Sequence, residues 1–218
     1  MRFFWLVAIC SWALGGGVAV AAGQTDPTKS AAGGKPPQEA AKGAQSPVAE
    51  PKPGPQIEKL LRALRGTWAI KETFAPDAAS PSGTTSEGRI VWRPGPGGYS
   101  VIEEYQSKQS RRSVTGLAVF WWDEGEHGYR TIWCDSTNPG GCIQFKNVAR
   151  WDGAQLVLVE DYEINGKKFT FKEVFGDITT AAFTQTLYGA EAGGELKVDQ
   201  TIRATKLTRS ATGTVAPK

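Results

Sequence analysis

Two pairs of neighbouring carboxylates are the residues of this chain best suited to acid–base chemistry. They are Glu103–Glu104 and Glu160–Asp161. Neighbours along a β-strand point to opposite faces, so each pair sends one acid inward and one outward. If Glu103 and an acid of the second pair shared an interior, the two could act as general acid and base. The alternative is that the outward acids are solvated and one buried acid is held by an arginine or a tyrosine.

The remaining chemically active side chains are few. His127 is the only histidine and lies in an acidic turn, where we expect it to be solvated, so no base is left for a serine or cysteine triad. The neighbouring acids Asp123, Glu124 and Glu126 lack the regular ligand spacing of a calcium loop. We therefore expect no catalytic residue, no metal site and no cofactor.

Large aromatic side chains favour a binding role instead. Half of each strand must face inward, and aromatic rings with a few polar groups are the usual lining of a small-molecule site. The alternative is that the same rings fill a solid core. The predicted lining residues are Trp92, Tyr99, Glu103, Tyr105, Trp121 (with Trp122 as its alternative) and Trp133.

β-Strands must position these side chains. From Trp68 onward, apolar and polar residues alternate in about ten runs, separated by turn signals such as Asp152-Gly153 and Asn165-Gly166. Residues 57–64 place apolar side chains at helical spacing ahead of the strands. The sequence predicts an all-β fold, an antiparallel up-and-down β-barrel of about ten strands with a short N-terminal helix, because closure removes exposed edges. A two-sheet sandwich is the alternative.

Cys134 and Cys142 bracket the turn-rich sequence DSTNPGG. The chain has three cysteines, and cleavage of a predicted signal peptide that contains Cys10 would leave these two. An even number of cysteines in an oxidising compartment predicts a disulfide, which would contribute about 2–3 kcal/mol across so short a loop. Two free thiols or half of a metal site are the alternatives. Residues 143–151 alternate throughout after this loop and predict one continuous strand.

The chain is divided into four regions. Residues 1–22 combine a positive residue, an apolar run and small residues, the pattern of a cleaved signal peptide, with an N-terminal anchor as the alternative. Residues 23–55 hold seven of the thirteen prolines and predict a disordered Pro/Ala-rich linker, either a spacer or a segment that reaches an envelope partner. Residues 56–208 predict the barrel, and residues 209–218 a flexible tail. A secreted or periplasmic location follows, with no membrane span left after cleavage.

Three short segments carry a resemblance. Residues 64–68 read LRGTW, a helix running into G-x-W and then a strand, which resembles the opening of lipocalin-like (calycin) barrels. The resemblance implies that Trp68 closes one end of the barrel. Residues 115–117 (TGL) and 133–136 (WCDS) are similar to segments of a bacterial secreted family of unknown function. Together these implied relationships cover residues 57–207 and suggest a ligand-sized barrel without naming a ligand.

Charge narrows the class of partner. The formal net charge is +3, and the lysines and arginines are scattered among acids, which argues against a nucleic-acid surface. The preferred hypothesis is a secreted or periplasmic barrel that binds a small apolar or amphipathic molecule in its interior without transforming it. The alternatives are an envelope interaction module with a packed barrel, and an enzyme that uses interior carboxylates.

Overall fold

The computed structural model of the protein describes residues 52–77, 80–109 and 112–208. They form one α-helix, α1 (Pro55–Leu64), followed by eleven β-strands, with one turn of 3-10 helix (Pro96–Gly98) between the second and third strands. In chain order the strands are β1 (Gly66–Phe74), β2 (Thr84–Pro94), β3 (Ser100–Gln109), β4 (Arg112–Asp123), β5 (Gly128–Asp135), β6 (Ile143–Gln144), β7 (Arg150–Asp152), β8 (Gln155–Ile164), β9 (Lys167–Gly176), β10 (Ala182–Glu191) and β11 (Lys197–Lys206).

The predicted helix is confirmed as α1. It begins at Pro55, which suits the first helical position because the N–H that proline lacks would have no partner there. Ile57, Leu60 and Leu64 are buried, and their spacing places them on one helix face. Gly66 then adopts a φ of 133°, which favours glycine and turns the chain directly into β1.

The strands form one antiparallel sheet. Strands consecutive in the chain are consecutive in the sheet from β1 to β6 and from β7 to β11, and β1 also pairs with β11. The sheet curls into a half-barrel whose edges approach at one point, where Tyr129 and Ala149 exchange two backbone hydrogen bonds of 2.8 Å. The predicted all-β, up-and-down architecture is confirmed, with eleven strands.

The concave face of the curled sheet is divided into two halves. Next to α1 lies the helix-side half, a continuous apolar core whose largest side chains are Trp68, Ile90, Trp92, Phe120, Tyr129, Phe175 and Phe183. Burying this apolar surface is the main stabilising term of the fold. At the opposite end lies the far half, whose polar side chains are Glu72, Ser86, Glu103, Tyr105, Ser107, Trp133, Glu160, Glu173, Gln185 and Gln200.

The strand predicted over residues 143–151 was wrong. Only β6 and β7 are strand there, and the residues between them, the seam segment (residues 145–149), cross from one sheet edge to the other. The Phe145 backbone N–H donates to the Thr131 carbonyl on β5 (3.1 Å), whereas the side-chain amide of Asn147 donates to the Val159 carbonyl on β8 (2.8 Å). A segment that bonds to both edges in turn cannot form one regular ladder.

Several predictions concern residues 1–51 and 209–218, which lie outside the described residues. They are the signal peptide (1–22), nearly all of the linker (23–55) and the tail (209–218). Pro55, the last residue of the predicted linker, is the first residue of α1. Over residues 52–77, 80–109 and 112–208, no helix has the length and apolar character to cross a membrane.

Candidate functional site

The far half contains an unusual set of acids, here called the inner carboxylates: Glu72, Glu103, Glu160 and Glu173. Each lies on a different strand, and each occupies a position whose neighbours two residues away are apolar or aromatic. Strand alternation therefore points all four towards the interior. Burying a carboxyl group is costly unless donors or cations compensate it, so the partners of each acid decide what the site can do.

Glu72 is fully satisfied by neutral donors. It is 1% exposed and accepts hydrogen bonds from the hydroxyls of Ser86 and Ser107. The Tyr105 hydroxyl donates to its Oε1 at 2.6 Å, and the Gln200 amide donates to the same atom at 3.0 Å. Burial and the neighbouring Glu72 raise the pKa of Tyr105 above its usual value, which keeps this phenol a donor.

Glu103 has the opposite environment. It is 3% exposed, yet no group among the described residues donates a hydrogen bond to its carboxyl group. Its cross-strand neighbours on the inner face are Trp92 on β2 and Ala118 on β4, with Trp133 beyond Ala118. Burial, and secondarily the nearby Glu173, raise the pKa of Glu103 well above its usual value.

Glu173 completes a carboxyl pair with Glu103 across the interior. The Gln185 amide donates to Glu173 Oε1 at 2.6 Å. Burial raises the pKa of Glu173 to about 7, and the hydrogen bond from Gln185 opposes that shift in part. Near neutral pH this pair can therefore hold or release a proton.

Glu160 faces inward but has a separate role. Its carboxylate accepts the Asn147 backbone N–H at 2.9 Å and so anchors the seam segment. Its neighbour Asp161 is exposed on the outer face and accepts the Thr170 hydroxyl at 2.7 Å. The sequence hypothesis paired Glu103 with Glu160 or Asp161; the structure instead places Glu173 beside Glu103.

Three of the predicted lining aromatics face the interior. Trp92 is fully buried against Phe120 and Phe175. Tyr105 and Trp133 meet edge to face, with ring centroids 5.7 Å apart. Gly116 permits this contact, because a Cβ at that position would overlap the Trp133 ring.

The predictions for Tyr99 and Trp121 were wrong. Tyr99 precedes β3 in a turn and is 46% exposed, so strand alternation does not apply to it. On β4, Ala118 and Phe120 are buried inward, which fixes Trp122 on the inner face and Trp121 on the outer face. Trp122 packs edge to face on Tyr129, with centroids 5.1 Å apart.

Four buried polar atoms lack a hydrogen-bond partner within the described part of the chain. They are Trp92 Nε1, Trp122 Nε1, Thr131 Oγ1 and Gln185 Oε1. All four belong to inward-facing side chains, and Trp92 and Gln185 adjoin Glu103 and Glu173 respectively. Buried polar atoms are normally paired, so the unpaired Gln185 Oε1 beside Glu173 indicates a place for water or a ligand in the far half, whereas Trp122 lies against Tyr129 in the helix-side half.

Trp68 lies at the helix-side end of the interior. It is fully buried, and its Nε1 donates to the Leu64 carbonyl at 2.7 Å. Its ring meets Phe183 edge to face at 4.9 Å, and Lys206 Nζ lies 4.7 Å from the ring centroid. Trp68 thus joins α1 to the sheet, at the end of the interior opposite to the inner carboxylates.

The cysteine loop supports one wall of the far half. The sulfurs of Cys134 and Cys142 lie at disulfide distance, 2.02 Å, as the sequence predicts. Next to Cys134, Asp135 accepts the Trp133 indole N–H at 2.9 Å and the Thr137 backbone N–H at 2.7 Å. The loop therefore fixes the orientation of the Trp133 ring beside Glu103.

The acidic turn before β5 is occupied by its own cations. Arg130 donates to Asp123 at 2.8 Å, and this hydrogen bond lowers the pKa of Asp123. Glu126 lies near both Arg130 and Arg150, and His127 is exposed in the turn with a φ of 50°. Within the described ranges, no three histidine, cysteine or acidic side chains are grouped so as to hold a metal ion.

Sequence reasoning missed Glu72, Glu173 and Gln185. The signal was present, since Glu72 follows Trp68 and Ile70 at a spacing of two and Glu173 lies between Phe171 and Phe175. An acid at an apolar position of an alternating strand predicts a buried carboxyl group.

Comparison with known proteins adds no relative: no protein-family model matches the chain, and no curated protein does. The resemblance to lipocalin-like barrels stays a prediction. Function is therefore inferred from the geometry of the far half.

Proposed function

We propose that the protein binds a small amphipathic molecule in the far half of its interior and does not transform it. The observation that carries the proposal is the Glu103 carboxyl group, which is buried without a donor among the described residues. An unpaired buried polar group costs about 1–3 kcal/mol, so a ligand that donates a hydrogen bond there recovers that cost on binding.

The surroundings of Glu103 match an amphipathic ligand. The rings of Trp92, Tyr105 and Trp133 offer apolar and aromatic contact, and Gln185 Oε1 offers a further acceptor. Apolar walls with a few convergent polar groups are typical of small-molecule sites. Trp92 belongs to the helix-side core and borders the site, because it is the cross-strand neighbour of Glu103. The rest of the helix-side half is filled by its own side chains, so the ligand lies on the far side of Trp92.

The proposed location is the periplasm or the outside of the cell. A predicted signal peptide over residues 1–22 supports export, and the cysteine pair at disulfide distance fits an oxidising compartment. Export predicts that the periplasmic protein has lost residues 1–22, which its intact mass measures.

A second candidate is an envelope interaction module, favoured by the dense packing of the helix-side half. Its partner would be reached through the predicted linker. Deleting residues 23–51, which stops short of α1, would then abolish association with that partner and leave the free energy of unfolding unchanged.

Native mass spectrometry of the chain expressed with its leader and purified from periplasm tests the binding proposal. We expect a discrete extra mass that is recovered by solvent extraction, is reduced on Glu103→Gln and is retained on Glu104→Gln. Glu104 is the matched control because it is the adjacent acid, exposed and paired with Arg93. A wild-type protein without extra mass, whose melting temperature no amphipathic compound raises, would refute the proposal.

A further inference from the structure

We infer that the molecule bound in the far half carries a primary alkylammonium group, seated between Glu103 and Glu173. The rings of Trp92, Tyr105 and Trp133 surround the group and the first carbons of its chain. This inference rests on the proposed function and adds the chemical class of the ligand.

The first argument is the balance of charge. None of the inner carboxylates forms an ion pair with a cationic side chain of the described residues. Lys206 occupies an inner-face position of β11, but it lies at the helix-side end, where its Nζ donates to the Arg65 carbonyl at 2.7 Å. Acids buried without a cation favour a cationic ligand and repel an anionic one.

The second argument is the count of donors and acceptors. Among the described residues, Glu103 has no donor, Gln185 Oε1 has none, and Glu173 accepts one hydrogen bond, at Oε1 from Gln185. These three acceptors match the three N–H donors of a primary ammonium group. A quaternary ammonium group has no N–H and would leave the acceptors unpaired.

The third argument is the aromatic surround. Trp92 is the cross-strand neighbour of Glu103, and Tyr105 lies two residues further along β3. Trp133 meets Tyr105 edge to face on the same side of the sheet. Aromatic faces attract ammonium groups through their quadrupoles, and the attraction strengthens where water is excluded.

Binding of the ammonium group between Glu103 and Glu173 is coupled to the release of a proton. Burial raises the pKa of both Glu103 and Glu173, so the empty site retains protons near neutral pH, and an arriving ammonium ion displaces one into solvent. Glu103 on β3 faces Glu173 across the interior. On the adjacent strand β8 the inward titratable side chains are Glu160 and Tyr162, the latter beside Asp199 on β11. Amine affinity should therefore rise with pH through about 7, the pKa of Glu173, by up to about tenfold per unit.

Calorimetric titration with three probes of similar shape tests the inference. The probes are 2-phenylethylamine, neutral 2-phenylethanol and anionic 3-phenylpropionate, each titrated into the full chain after denaturation and refolding to remove bound molecules. We expect the amine to bind at least about tenfold more tightly than the alcohol, since hydrogen bonds to charged groups are the stronger ones, and the anion not to bind. Glu103→Gln and Glu173→Gln should each lose about tenfold in amine affinity, and Glu104→Gln none.

The outcomes separate the two proposals. Equal binding of amine and alcohol, or a neutral or anionic molecule in the extract of the native protein, overturns the ammonium inference and leaves interior binding intact. Absence of a co-purifying molecule together with no binding of any probe overturns both. The three probes are compared on the wild-type protein, without any variant. The inference can therefore be refuted even if Glu103→Gln or Glu173→Gln fails to fold.

Discussion

Replacing Glu173 with glutamine should remove a large part of the pH dependence of stability. Burial raises the pKa of Glu173 to about 7, whereas an unfolded glutamate titrates near about 4.3. Between these values the folded protein holds a proton that the unfolded chain has released. The stability that Glu173 contributes is therefore fully present below about pH 4.3 and is lost as pH rises through about 7.

The magnitude follows from the size of the shift. A gap of about 2.7 pKa units at about 1.4 kcal/mol per unit gives about 3.8 kcal/mol in full. About 3.4 kcal/mol of it falls between pH 4 and pH 8, because an unfolded glutamate is already partly ionised at pH 4. Glu173→Gln carries no titrating proton, and its amide oxygen can still accept the hydrogen bond from Gln185. The variant should thus equal the wild type at low pH, apart from a constant offset, and gain about 3.4 kcal/mol on it by pH 8.

Urea unfolding followed by tryptophan fluorescence measures this difference at a series of pH values. Refolding each protein from urea first removes any bound molecule. Glu104→Gln is the control and should follow the wild-type profile, because its ion pair with Arg93 is exposed and contributes little. Parallel wild-type and Glu173→Gln profiles from pH 4 to pH 8 would show that folding does not raise the pKa of Glu173.

Three further changes test the rest of the fold. Tyr105→Phe removes one of the donors to Glu72 and should lower the free energy of unfolding by about 1–3 kcal/mol. Reducing the Cys134–Cys142 bond should lower it by about 2–3 kcal/mol, since the loop is short. Leu60→Ala should lower it by about 2–5 kcal/mol, because Leu60 is fully buried between α1 and the sheet. Urea unfolding measures all three.

A different outcome would contradict each of these three predictions. An unchanged free energy for Tyr105→Phe would mean that Glu72 is solvated. No effect of reductant, or two titratable thiols in the denatured protein, would rule out the disulfide. Leu117→Ala, at an exposed position on β4, is the control for Leu60→Ala, and equal losses in the two variants would place α1 outside the core.

Outside residues 143–151, the period of two in the sequence was enough to predict the strands and the inward position of Glu103. The same alternation correctly turned Trp92 and Tyr105 inward, because each lies well inside its strand. It misplaced Tyr99, which lies at a strand end, where a turn overrides alternation. It also did not decide which of Trp121 and Trp122 faces inward. That choice depends on which of the preceding β4 residues are buried, and only the structure shows this.

The pairing of Glu103 with Glu173 was beyond the reach of the sequence. The two residues lie on β3 and β9, which are not neighbours in the sheet. Their approach depends on how strongly the sheet curls, and local alternation carries no information on curvature. The seam segment escaped prediction for a related reason, because it bonds to two strands that only curvature brings together.

A crystal structure of the protein grown with 2-phenylethylamine tests the central claim most directly. Interior binding predicts the amine in the far half, its nitrogen within about 3 Å of carboxyl oxygens of Glu103 and Glu173. An interior closed by its own side chains, with the amine absent or bound on the outer face, would contradict it.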